Sequence, residues 1–236
     1  MRVVFLIWCL VLVFGGNASF AQMGGGEIIP TKDAKTRAWD FINIKEYKNA
    51  IPILDSIYNT NTSDLNTYTD YLNVLVLAKE FKKAEQLVKD QQQIRSRDPL
   101  PYVDLGRVFN AEGKEKKANE QYDIAIQLMG QDEVITQQMV AYFNSVDKID
   151  YTIRTLERAK SLQGNNYYYT SQLAKLYMKK GDADKALNFV LDFGAIQMSG
   201  LETTKSTLLE LLGDNLQKLQ LTQNTFFKFL LYLSIG

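Results

Sequence analysis

At 236 residues, with 46% apolar and 23% charged content, the chain is an ordinary globular sequence able to bury a sizeable core. Lysine plus arginine and aspartate plus glutamate number 27 each, so no net field draws it to nucleic acid or to an anionic membrane surface. Cys9 is the sole cysteine and histidine is absent, which removes internal disulfides and histidine-centred metal or acid–base sites; no cofactor is expected.

The first segment has the order of a secretory signal peptide. Arg2 supplies a positive start, Val3 to Phe14 is an apolar run of 12 residues, and Gly15-Gly16-Asn17 breaks it before Ala18-Ser19-Phe20-Ala21. That run is too short for a bilayer core, which takes about 20 residues. Cleavage is expected after Ala21, making 1–21 a signal, placing Gln22 at the mature end and leaving no integral membrane segment. Cys9 sits inside the apolar run, where it offers no site for lipid attachment. The expectation is a periplasmic or extracellular protein held together by packing without disulfides. Residues 22–30 contain Gly24-Gly25-Gly26 and no apolar period, and read as a flexible leader.

From residue 31 a repeat sets the fold. Ala50, Ala84, Ala118, Thr152 and Ala186 are each separated by 34 residues. Twelve positions earlier stand Ala38, Leu72, Gly106, Val140 and Ala174, and nine earlier Phe41, Leu75, Phe109, Phe143 and Tyr177. Four positions after the small residue come Leu54, Val88, Tyr122, Leu156 and Val190. These offsets are helical stripes, so each unit is two amphipathic helices. The breaks fall at Lys45-Glu46, Lys79-Glu80, Glu112-Gly113, Asp147 and Lys180-Gly181. Helices are predicted over 32–45, 47–59, 64–78, 81–93, 100–112, 115–128, 133–145, 148–161, 167–180 and 183–194. Pro99 and Pro101 suit a first helical turn, whereas Pro52 falls inside a predicted helix and marks a potential kink. Helices packing about 8 Å apart admit only a small side chain at the crossing, which explains the alanine and glycine columns.

The chain resembles the tetratricopeptide repeat family, whose unit is 34 residues long. The third unit carries the resemblance most fully, with Tyr102, Leu105, Gly106, Phe109, Gly113, Ala118, Tyr122 and Ala125 at the family's positions. The fifth, with Leu173-Ala174, Tyr177, Gly181 and Ala186, is nearly as close. Thr152 for alanine and Gln91 at a packing position are departures. The resemblance is to the secreted or periplasmic bacterial type. It implies an all-α, right-handed superhelical solenoid of about five hairpins, at 31–64, 65–98, 99–132, 133–166 and 167–200, and a degenerate or truncated sixth at 201–236. In that last stretch Gln220 and Asn224 fall on core positions, and the chain closes on an apolar run from Phe226 to Leu233 that suggests truncation, self-association or membrane contact.

Motifs with chemical potential are sparse. Ser145-Val146-Asp147-Lys148 has the S-x-x-K spacing of penicillin-interacting enzymes but none of their partner motifs. Lys114 to Lys117, interrupted by Glu115, reads as a solvated helix face. Tyr167-Tyr168-Tyr169 point three ways around a helix, with at least one expected in the core and one in solvent. No catalytic residue or metal ligand is assigned, and an enzyme is the least favoured class.

In tetratricopeptide proteins the first helices of successive units line a concave groove. The family register places Lys35, Trp39, Ile42 and Asn43 there from the first unit, and Asn73, Val76 and Leu77 from the second. The third supplies Val103, Arg107 and Asn110, the fourth Gln137 and Asn144, and the fifth Tyr168, Lys175, Met178 and Lys179. Asparagine amides can bond a peptide backbone as donor and acceptor. The resemblance therefore implies an extracytoplasmic scaffold whose groove binds a protein or peptide. Nucleic acid is not an expected partner; a carbohydrate-binding or envelope-assembly role, with glycan as partner, is the alternative.

Overall fold

The computed structural model describes residues 33–164 and 167–196, with 206, 207 and 210. The expected signal, the leader and the apolar C-terminal run lie outside the described residues. The chain divides into Met1–Asp33 and Ala34–Gly236, and every helix below belongs to the second part.

Among the described residues there are ten helices and no strand. They are α1 (Ala34–Asn43), α2 (Tyr47–Thr60), α3 (Leu65–Leu77), α4 (Phe81–Ile94), α5 (Leu100–Ala111), α6 (Glu115–Leu128), α7 (Glu133–Ser145), α8 (Ile149–Gln163), α9 (Tyr167–Lys179) and α10 (Ala183–Ile196). α2 continues as one helix through Pro52, whose missing N–H leaves the Lys48 carbonyl without its helical donor. The substantial contacts join elements one or two apart in the chain, including α5 with α7 and α6 with α8, so the hairpins stack in a row. The architecture is that of tetratricopeptide-type hairpins in tandem.

One turn geometry closes every hairpin. The left-handed backbone region is occupied at Lys45, Lys79, Gly113, Asp147 and Gly181, one residue per 34-residue period. The N–H of the following residue bonds back to Phe41, Leu75, Phe109, Phe143 and Tyr177 at 2.8–2.9 Å. This is the six-to-one closure of a Schellman motif, which satisfies the last carbonyls of the first helix. Glycine adopts this region freely, whereas another residue pays about 1–2 kcal/mol. A second periodic device opens the first helices: Asp64, Asp98 and Asp132 accept from the backbone N–H two residues on, at 3.0, 2.8 and 2.8 Å.

The small-residue columns are where the sequence places them. Ala38, Ala50, Ala84, Ala118, Ala174 and Ala186 are fully buried. The two departures are resolved by hydrogen bonds. Buried Thr152 donates its hydroxyl to Asn144 Oδ1 at 3.1 Å. Buried Gln91 donates its amide to the Tyr58 hydroxyl and the Thr62 carbonyl, both at 2.8 Å, tying the first unit to the second. Both donors are thereby paired, while the Gln91 Oε1 stays buried without a partner.

Gly106 has a specific occupant beside it. A Cβ there would lie 2.2 Å from Cε1 of Tyr122, whose ring is fully buried. That ring packs edge-on against Phe143 at 5.1 Å and Tyr151 at 5.2 Å, so it has nowhere to retreat. Other units pair a larger residue at the glycine position with a smaller one at the tyrosine position, as Ala38 with Leu54. Gly106→Ala is accordingly expected to cost about 1–3 kcal/mol through overpacking. Adding Tyr122→Leu should cost less than the sum of the two single changes, and additivity in urea-unfolding midpoints would refute the pairing. Lys79→Gly, by contrast, should stabilise by about 1 kcal/mol, because it relieves the left-handed lysine; a lowered midpoint would contradict that assignment.

Candidate binding face

The first helices α1, α3, α5, α7 and α9 carry every residue assigned to the groove. On α1, Lys35 is half-buried, Trp39 is 43% exposed and Asn43 is exposed at the helix end. Asn73 on α3 accepts a hydrogen bond from the Arg107 guanidinium of α5, so these two are brought together across one repeat. Asn110 is half-buried. Asn144 is exposed but bonded within its own hairpin to Thr152. Gln137 donates to Glu133 at 3.1 Å.

In the fifth unit Tyr168 stays 40% exposed while Tyr169 is fully buried, its ring edge-on to Tyr168 at 5.5 Å. Met178 is half-buried. Lys175 pairs with Glu210 at 2.7 Å, a one-repeat step close to that of Asn73 and Arg107. Arg107 is thus hydrogen-bonded to a neutral amide with the Asp104 carboxyl nearby, whereas Lys175 is paired directly with a carboxylate.

A depression of about 440 Å³ opens between α3, α5 and α7. Leu65, Leu100 and Val103 give it an apolar wall, and Arg107, Asp104, Gln138 and Tyr142 bring polar groups to it. The Tyr68 hydroxyl donates to Asp104 Oδ2 at 2.8 Å. Arg95 also borders the depression but is held by Asp98, at 2.5 Å from Nη2 and 3.1 Å from Nε. The Tyr142 hydroxyl lies 2.7 Å from that of buried Tyr122. Either hydroxyl can donate to the other, so Tyr142 offers the depression a proton when Tyr122 donates and a lone pair otherwise. Donors from Arg107 and Gln138, the Tyr142 hydroxyl and an acceptor on Asp104 therefore converge on one cleft, which suits a guest that both donates and accepts.

Electrostatics here follow burial. Desolvation pushes the Asp104 carboxyl above the usual carboxylate range, opposed by Arg107 and the Tyr68 hydroxyl. Desolvation and the Asp104 charge together push the Tyr68 hydroxyl up. Asp104, Tyr68, Gln138 and Tyr142 lie off the family's groove register, and Tyr68 meets Asp104 from 36 residues away. For Tyr68 and Asp104 the only sequence signal is an aromatic and a polar residue one period plus two apart.

The S-x-x-K pair is engaged elsewhere. Ser145 donates to the Tyr142 carbonyl at 2.7 Å, and the Lys148 ammonium lies 3.4 Å from Glu115 and 3.5 Å from Asn119. Among the described residues no group of acids or cysteines is arranged to hold a metal ion.

No known family model matches the chain, and no curated protein matches it in sequence. Among solved structures it is similar to the Naa15/Naa10 assembly bound to HypK-THB, at 13% identity over 85% of this chain and 33% of that one, TM-score 0.42. It is similar to MamA at 13% identity over 72% of this chain and 92% of that one, TM-score 0.39. A third likeness is to TTC0263, a thermophilic TPR protein of Thermus thermophilus, at 16% identity over 75% and 97% of the two chains, TM-score 0.38. The chain spans a third of the length of the first of these and nearly all of the other two. The helices, turns and buried columns of the chain itself define its class: an all-α array of tetratricopeptide-type hairpins.

Asp104 gives a pH-dependent prediction. Its folded carboxyl binds a proton more tightly than the unfolded one, so its contribution to stability is full below the ordinary carboxylate value and is lost as pH rises through the native value. Asp104→Asn keeps an acceptor for Tyr68 and removes that loss. The stability of the variant relative to wild type should rise between acidic and neutral pH in a urea-unfolding series, and a pH-independent difference would refute the desolvated carboxylate.

Proposed function

We propose that the protein is an extracytoplasmic scaffold for protein–protein interaction, and that it takes an extended peptide or an extended segment of a partner along its first-helix face. The observation that carries this reading is the depression between α3, α5 and α7, where donors and an acceptor from the third and fourth repeats converge beside an apolar wall that the second repeat helps to form. A peptide backbone alternates N–H and C=O and supplies side chains for the wall, so it meets both requirements. Trp39 and Tyr168, each well exposed at opposite ends of the described helix row, extend the face with aromatic surface. Export is supported by the N-terminal order of charge, apolar run and small residues.

Peptides selected from a random display library on immobilised protein would test the face. Arg107→Glu combined with Asn110→Ala is expected to weaken the selected peptides at least about ten-fold, as loss of a central anchor does. Equal affinity with wild type and variant would place binding on another surface. Mass spectrometry of the accumulated protein should find a mature end at Gln22.

A further inference from the structure

The hairpin turns carry a charge asymmetry that the balanced totals hide. Because the turn recurs with the 34-residue period, the five turns share one edge of the array, opposite the aspartate caps. One depression is lined jointly by Lys45, Lys48 and Ala78, and another by Lys48, Glu80 and Lys83, so the first two turns adjoin. Lys114 and Lys117 of the third turn act electrostatically on Glu85 of α4.

Around the first turn stand Lys45 and Lys48 with Glu46. The second has Lys79, Lys82 and Lys83 with Glu80, and the third Lys114, Lys116 and Lys117 with Glu112 and Glu115. All eight lysines are exposed, against four glutamates. Glu112 is taken by Lys114 at 2.5 Å and Glu115 by Lys148 of the next unit at 3.4 Å. Among the described residues no ion pair engages Lys45, Lys48, Lys79, Lys82, Lys83 or Lys116. The excess stops at the fourth turn, whose Asp147 and Asp150 balance Lys179 and Lys180 of the fifth at 3.2 Å and 2.5 Å.

Three further features set this edge apart. Lys45 and Lys79 hold φ of 62° and 60° at the position where the third and fifth turns use glycine, so lysine is kept there against its backbone preference. Ile44, directly before Lys45, is 62% exposed, and Leu77, two before Lys79, is 56% exposed. No arginine occurs at these turns. Lysine is a flexible point charge, whereas the planar fork of arginine suits a defined carboxylate. Mobile ammonium groups beside protruding aliphatic tips match a layer of anionic headgroups over acyl chains.

We propose that the turn edge of the first three hairpins docks on the surface of an anionic phospholipid bilayer, with Ile44 and Leu77 entering the headgroup layer and the lysines among the lipid phosphates. The contact is peripheral: among the described residues no helix is long and apolar enough to cross a membrane. Although Leu77 also falls on the groove register, neither it nor Ile44 lines the depression between α3, α5 and α7, so the contact leaves that depression free.

Co-sedimentation of the protein as isolated from cells tests this, using vesicles of phosphatidylcholine alone and of phosphatidylcholine mixed with phosphatidylglycerol. Partition onto the mixed vesicles should be at least about ten-fold higher and should fall as salt screens the lysines. Lys45→Gly with Lys79→Gly is the discriminating variant, because it should melt at a higher temperature yet bind the mixed vesicles at least about five-fold less. Ile44→Ser with Leu77→Ser should also lower partition at unchanged charge. Equal partition onto both vesicle types overturns the proposal, as does undiminished binding by the double glycine variant. Full displacement by soluble polyglutamate, with the Ile44 and Leu77 changes silent, would assign the edge to an acidic polypeptide and overturn it equally.

Discussion

Two helices approach closely only where one of them presents a small side chain, and in this chain that condition returns at Ala50, Ala84, Ala118 and Ala186. The close crossing fixes each hairpin but leaves its outer apolar face bare. The next hairpin covers that face, which is why the helix contacts run between near neighbours in the chain. Larger or polar residues at the crossings are tolerated only with a matched partner. Tyr122 requires the missing Cβ of Gly106, Thr152 requires the side-chain oxygen of Asn144, and Gln91 requires Tyr58 and the Thr62 backbone.

The helices were legible because the crossing constraint writes itself into sequence at a fixed interval. All ten observed spans lie within two residues of those predicted from the stripes. The turns were legible in place but not in kind. Gly113 and Gly181 announce a left-handed residue, whereas Lys45, Lys79 and Asp147 adopt the same conformation without any such signal. Backbone closure onto Phe41, Leu75 and Phe143 imposes it on them, and that demand belongs to the hairpin as a whole. The aspartate caps at 64, 98 and 132 share the period, yet short polar residues in loops are too common to stand out alone.

The proposed binding face was legible as a set of columns and not as a site. Register placed Arg107 and Asn73 on adjacent helices, and the structure joins them. It could not show that Asn144 turns back to its own hairpin or that Lys175 is balanced by Glu210, since both depend on side-chain reach. Nor did it reach Asp104 and Tyr142, which lie beside the columns and line the depression where three helices meet. A repeat array converts any residue class held at one phase of its period into a spatial stripe. Balanced totals of 27 and 27 therefore coexist with a lysine-rich turn edge and an aspartate-capped opposite edge.

The junction between the third and fourth hairpins differs from its neighbours in a way that links core to face. α2 packs on α3, α4 on α5 and α8 on α9, but α6 and α7 share little backbone proximity and touch through the Tyr122 ring against Tyr142 and Phe143, while α5 reaches α7 and α6 reaches α8 directly. The hydroxyl of that buried ring meets Tyr142, and Tyr142 borders the depression. Lys148 lies over the Tyr122 and Tyr151 rings at 5.8 and 6.0 Å, so the same cluster also touches the fourth turn. Tyr142 therefore joins the lining of the depression to the buried ring packed between the third and fourth hairpins. The unit that follows the family pattern most closely thus joins the depression to the spacing of the array.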